Sequence, residues 1–136
     1  MGKSIFVICA YLRVLILMGD IKDEITVVGL KSKKPVQALF DTGADIGRIT
    51  KKLADELGMM QIHPGRTFSL GNGRKIKAAI VGGFVNIKGC QFPAFFAISK
   101  KETPPVTIGL STMQSMGIEL DPQKETYSVR CNIPKL

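Results

Sequence analysis

The residues best suited to chemistry stand together at 38–45, where Ala38-Leu39-Phe40 runs into Asp41-Thr42-Gly43-Ala44-Asp45. An apolar strand that ends in an acid, a hydroxyl and a glycine carries a carboxylate to a strand end, exposed yet backed by rigid structure. A carboxylate so placed is suited to proton transfer. The same residues also suit an Asx-type turn, in which the acid accepts a hydrogen bond from the backbone two residues on. Asp-Thr-Gly alone recurs by chance in roughly a few per cent of chains of this length, so its surroundings must decide.

Other chemistries find little support. His63 is the only histidine, which rules out a multi-histidine metal centre, and no G-x-S-x-G elbow is present for a serine nucleophile. Beside Pro64-Gly65, His63 reads as a polar loop residue. Cys9, Cys90 and Cys131 are odd in number, far apart and without C-x-x-C spacing. They are read as reduced thiols, which points to an intracellular, cytoplasmic protein. No metal or cofactor is expected.

With 136 residues the chain is close to one domain, and 45% hydrophobic with 22% charged residues is enough apolar material for a core. Nineteen Lys and Arg against 11 Asp and Glu give a net charge of +8. The densest basic group, Arg74, Lys75 and Lys77, lies on one hairpin, both tyrosines fall outside it, and no RNP, OB or helix-turn-helix signature accompanies it. Nucleic acid is therefore not the expected partner; beside a cleft the same charges would favour acidic peptides.

The elements that must position Asp41 are short and β-rich. Glu24–Val28 and Val36–Phe40 are expected as a hairpin around a loop bearing Lys31, Lys33 and Lys34. Thr50 should cap a helix over 51–57 whose Leu53, Ala54 and Leu57 share one face, with Gly58 as its stop. Its lysines stand first and its acids last, against the helix dipole, so packing must hold it. Thr67–Leu70 and Arg74–Ile80 flank Gly71-Asn72-Gly73, the strongest hairpin signal in the chain. Further strands are expected at Phe84–Ile87, Phe92–Ser99 and Val106–Ile108. Ser111-Thr112-Met113-Gln114 has the form of a capping box for a second short helix ending at Gly117. Ile118–Leu120 and Thr126–Cys131 should then pair. Met59, Met60, Met113 and Met116 are expected as core or interface filler.

Residues 1–19 stand apart. The apolar run 4–18, interrupted by Arg13, is too short to span a membrane. It is read as a start-site overhang, with Met18 as the true start, or as a membrane-associated segment that would place the protein at a membrane, with an extra strand as the third reading. The working domain is taken as 20–136.

Apolar residues before Asp-Thr-Gly, Ala44 after it and a helix within ten residues together resemble the active-site segment of retropepsins, the single-domain aspartic proteases of retroviruses and their cellular relatives. The resemblance extends over most of 20–133: a hairpin into the D-T-G turn, a helix ending in Leu57-Gly58, a flap-like hairpin, then Ile108-Gly109-Leu110 and a helix. It implies an all-β acid-protease barrel with two short helices, one lobe per chain, working as a homodimeric aspartic endopeptidase on extended peptide. Asp41 would be the catalytic carboxylate, Thr42 would bond across the two-fold, and Gly43, Ala44 and Asp45 would meet substrate backbone. Gly71, Asn72 and Gly73 would form the flap tip, with Val81-Gly82-Gly83-Phe84-Val85 as the alternative flap, and Ile108 would complete the substrate-binding set. Ile46 and Gly47 depart from the polar residues usual after this motif, and Leu110 from the retroviral Arg. A catalytically silent peptide-binding and dimerisation module remains the alternative reading.

Overall fold

The computed structural model of the chain describes residues 20–132; the apolar run 4–18 and Cys9 lie outside them. Nine strands are found among these residues: β1 (Lys22–Val28), β2 (Lys33–Phe40), β3 (Gly47–Thr50), β4 (Met60–Ser69), β5 (Lys75–Ile87), β6 (Cys90–Ser99), β7 (Val106–Ile108), β8 (Ile118–Asp121) and β9 (Thr126–Val129). Two helices accompany them, α1 (Lys51–Leu57) and α2 (Leu110–Met116). The strand order β1-β2-β7-β3-β6-β5, with β5 pairing back onto β1, closes a six-stranded barrel from which β4 projects. Closure leaves no free edge around the core. Strand β8 pairs only with β9 in a separate hairpin.

Alternation along the strands fills the barrel. Val27, Val85, Ile87, Phe96, Val106 and Ile108 are fully buried, as expected where every second residue of a strand faces one side. Leu53, Ala54 and Leu57 of α1 join the same core. Thr50 Oγ1 accepts from Leu53 N at 3.3 Å, and Gly58 closes the helix in the left-handed region at φ 69°. The adverse charge order is offset locally, because Lys51 reaches Asp55 at 2.7 Å and Lys34 of β2 reaches Glu56 at 3.2 Å.

Three expectations need correction. Gly82-Gly83 does not end a strand: β5 runs without interruption from Lys75 to Ile87, and a Cβ on Gly83 would stand 2.6 Å from Val28 O. The absent side chain lets β1 close the barrel against β5, so this segment is sheet interior and not the tip of a hairpin. The helix α2 begins at Leu110 with Gly109 as N-cap and no side-chain cap, so Ser111 lies inside the helix. Cys90 and Cys131 form a disulfide with Cα atoms 5.5 Å apart. Cys90 opens β6 at the barrel rim, and the chain after β9 turns back to it, with Cys131 at φ 56°. Separation in sequence had hidden proximity in space, and the compartment inferred from reduced thiols loses that support.

The β8–β9 hairpin docks through Tyr127. Its ring stands 4.5 Å from that of Phe40 and its hydroxyl donates to Asp23 Oδ2 at 2.5 Å, while Lys88 Nζ donates to its carbonyl at 2.6 Å. Burial, and then the Asp23 carboxylate, push the phenol well above its ordinary value of 10.0.

Two predictions follow from these tethers. The disulfide spans 41 residues of sequence, so its reduction, or Cys131→Ser, is expected to lower unfolding free energy by about 4 kcal/mol through the entropy of the unfolded chain. Urea titrations with and without a dithiol check this. For Tyr127, the raised folded value means that its contribution is complete below the unfolded pKa of 10.0 and declines as pH rises above it. Tyr127→Phe should cost roughly 1 kcal/mol at neutral pH and flatten the alkaline loss of stability, read from denaturation midpoints between neutral pH and pH 11 or about there.

Candidate active site

The loop 41–46 is created by a strand crossing. Strand β7 lies between β2, to which it is parallel, and β3, to which it is antiparallel. The chain leaving β2 must therefore pass over the end of β7 before returning as β3, and Asp41 is the first residue of that passage. Its direction is pinned at both sides: Asp41 N donates to Ile108 O at 3.0 Å, and Phe40 N to Ile21 O at 3.0 Å.

The loop also fastens onto α2. Leu110 N donates to Ala44 O at 2.8 Å and Ser111 N to Asp45 O at 3.0 Å. These carbonyls take up first-turn N–H groups that a helix of this length otherwise leaves unpaired, which is why no side-chain cap is needed. The approach is closer than any side chain allows. A Cβ on Gly109 would lie 2.6 Å from Gly47 N and from Ile46 C, and one on Gly47 would lie 2.1 Å from Thr107 O.

On this buried footing the loop presents its side chains outward. Asp41 is half-buried, while Thr42, Gly43 and Asp45 are exposed. Asp41 Oδ1 accepts from Gly43 N at 2.9 Å, and Ala44 N donates to Asp41 O at 3.3 Å. The Asx-type turn and the carboxylate site are thus one arrangement: the turn fixes one carboxylate oxygen and leaves Oδ2 free to act on something else. No cation pairs with Asp41 or Asp45 among the described residues, and no group of three or more metal-ligating side chains occurs among them.

The other expected site residues fall in two places. Ile108 is fully buried, so its side chain offers no surface to a substrate; it serves the loop through its carbonyl, and direct substrate contact is corrected to a backing role. Gly71, Asn72 and Gly73 are exposed at the turn between β4 and β5, where Leu70 N donates to Arg74 O at 2.7 Å and Arg74 N to Asn72 Oδ1 at 2.9 Å. No hydrogen bond joins this tip to the 41–45 loop among the described residues. Beyond Ala78 the hairpin pairs only with itself, since β6 meets β5 from Ile80 onward. His63 is exposed in the irregular part of β4, its Nδ1 accepting from Gly65 N at 3.1 Å. What the sequence reading missed is Gly47, which opens β3 against Gly109 of the segment that backs the loop.

A closed barrel with an Asp-Thr-Gly loop laid over a strand crossing is a retropepsin-like acid-protease fold. The family model described as aspartyl protease matches residues 24–112, and the chain belongs to this family. Among solved structures, an EIAV protease complexed with the inhibitor HBY-793 is 17% identical, covering 76% of this chain and 93% of that one at a TM-score of 0.61. The retroviral protease-like domain of Ddi1 from Leishmania major is 19% identical, covering 82% and 88% at 0.59. At such identities the likeness is one of fold. No curated protein matches the chain.

The crossing gives a direct test. Gly109→Ala places a methyl against backbone atoms that cannot move aside, and is expected to cost about 3 kcal/mol or more. Gly71→Ala meets nothing within 4 Å and should change stability by less than about 0.5 kcal/mol. Urea midpoints of the two variants, measured side by side, check the contrast.

Proposed function

We propose that the chain is a homodimeric aspartic endopeptidase in which the two Asp41 carboxylates, one from each protomer, activate a water for attack on a peptide bond. The observation that carries this reading is the Asp41 loop itself: a carboxylate with one oxygen held by Gly43 N, set on the exposed side of a rigid crossing, in a chain of the aspartyl protease family. Each chain has one such motif. General-acid and general-base work on one water needs a pair, so the second carboxylate comes from a second copy about the two-fold.

The electrostatics of that pair follow from proximity. As is general for aspartic-protease dyads, two carboxylates about 3 Å apart cannot both ionise and share a proton, titrating as a unit. The ionised member takes a proton from the water as it attacks, and the protonated member donates to the developing oxyanion. Thr42, exposed beside Asp41, would bond across the two-fold and lock the paired loops. Gly43, Ala44 and Asp45 would bind substrate backbone, and Gly71-Asn72-Gly73 would close over it as a flap, adding strand-like hydrogen bonds.

The test is cleavage of a complex peptide pool from about pH 4 to 7, read by mass spectrometry, for wild type and Asp41→Asn. The exchange keeps shape and removes the base, and the variant is expected to lose at least about a hundredfold in rate. Suppression of the wild type by a statine-type transition-state mimic, with sedimentation at the dimer mass, completes the expected result. Wild type that is dimeric, folded and as silent as the variant would make the domain a peptide-binding module.

A further inference from the structure

We propose that the β4–β5 hairpin selects acidic stretches of substrate through Lys75 and Lys77, an inference that rests on the reading of that hairpin as a flap. The face these lysines occupy can be followed along β5. Its pairing with β6 is unbroken from Ile80 to Ile87, and both register shifts against β4 insert the extra residues on the β4 side. Alternation along β5 is therefore continuous. Lys75 and Lys77 share their face with Val81, Val85 and Ile87, which belong to the barrel core.

The hairpin thus carries both β5 lysines on the face that continues the barrel interior, and Phe68 and Ile76, with Arg66, on the other. Phe68 pairs with Ile76 on that second face, where Arg66 stands 5.9 Å from the Phe68 ring centroid. Core packing does not account for this order, since it would place the apolar side inward. Across the ladder Lys75 faces Ser69 and Lys77 faces Thr67, neither of which carries charge. Among the described residues no carboxylate pairs with either ammonium. Two unpaired cations on the inward face of a flap are complementary to Asp or Glu side chains of an extended peptide beneath it. A nucleic-acid strand fits less well, because the one aromatic ring of the outer hairpin, Phe68, lies on the opposite face and leaves the lysines without a stacking platform.

The experiment separates this from catalysis by using Asp41→Asn protein, immobilised and exposed to a complex peptide pool, with captured peptides sequenced by mass spectrometry. Enrichment of Asp and Glu by about fivefold over the pool at low salt is expected, weakening with added salt. In the Asp41→Asn background, Lys75→Gln with Lys77→Gln should remove the bias, and Lys75→Glu with Lys77→Glu should turn it toward Lys and Arg. Both positions are exposed, so these variants keep the fold. Capture without charge bias, no capture, or a bias unchanged by charge reversal overturns the proposal. So does a short single-stranded oligonucleotide that is itself retained and strips the peptides. Charge-biased capture by a protein whose wild type cleaves nothing would sustain the proposal and remove the endopeptidase reading.

Discussion

The candidate site depends on one contact between two stretches of backbone, Gly47 against Gly109. Strand β7 can lie between β2 and β3 only if the chain passes over its end, and that passage has no room for a Cβ on either side. Once the backbones meet, the polar groups around them have partners at fixed places: Ile108 O for Asp41 N, Ala44 O for Leu110 N, Asp45 O for Ser111 N. Backbone polar groups buried there without such partners would be costly. The loop is therefore rigid in its backbone and exposed in its side chains, the combination a proton-transfer site requires.

That division explains what was legible in the sequence. Local signals were sound where the physics is local: Thr50 and Gly58 bound α1, Asn72 orders the β4–β5 turn, and the apolar run before Asp41 ends in the loop. The misses are places where a distant segment decides. Ser111 resembles a cap, but loop carbonyls from 44 and 45 already occupy its helix's donors. Gly82-Gly83 looks like a turn in isolation and proves to be the point where β1 meets β5. Strand β3 was invisible because four residues carry little periodicity, and its pairing with β6 and β7 is wholly non-local. Cysteine spacing contains no information about the turn after β9 that carries Cys131 to Cys90.

The barrel and the outer hairpin are held by different means. The barrel closes on itself through β1 and β5, and the C-terminal hairpin is held by the disulfide and by Tyr127, which packs on Phe40 beside the 41–45 loop and donates to Asp23. The outer β4–β5 hairpin takes no part in that closure and is supported only by its own ladder. Backbone that pairs with nothing else opens at lower free energy than the barrel it springs from. In the proposed endopeptidase, the segment that would admit and then cover an extended chain is drawn from that less stable end.

In the proposed dimer a single motif per chain would suffice. A single carboxylate cannot act as general base and general acid on one water at the same time. Doubling the chain about an axis through the exposed loops, as proposed, would supply the second carboxylate without altering the crossing, because the backbone bonds that fix Asp41 are complete within one protomer. What the second copy would add is electrostatic: each carboxylate would raise the cost of ionising the other until one proton is shared. In the proposed dimer the chemistry therefore resides in the pairing, while the geometry that makes pairing reproducible is already built by Gly47, Gly109 and the carbonyl of Ile108 in each chain.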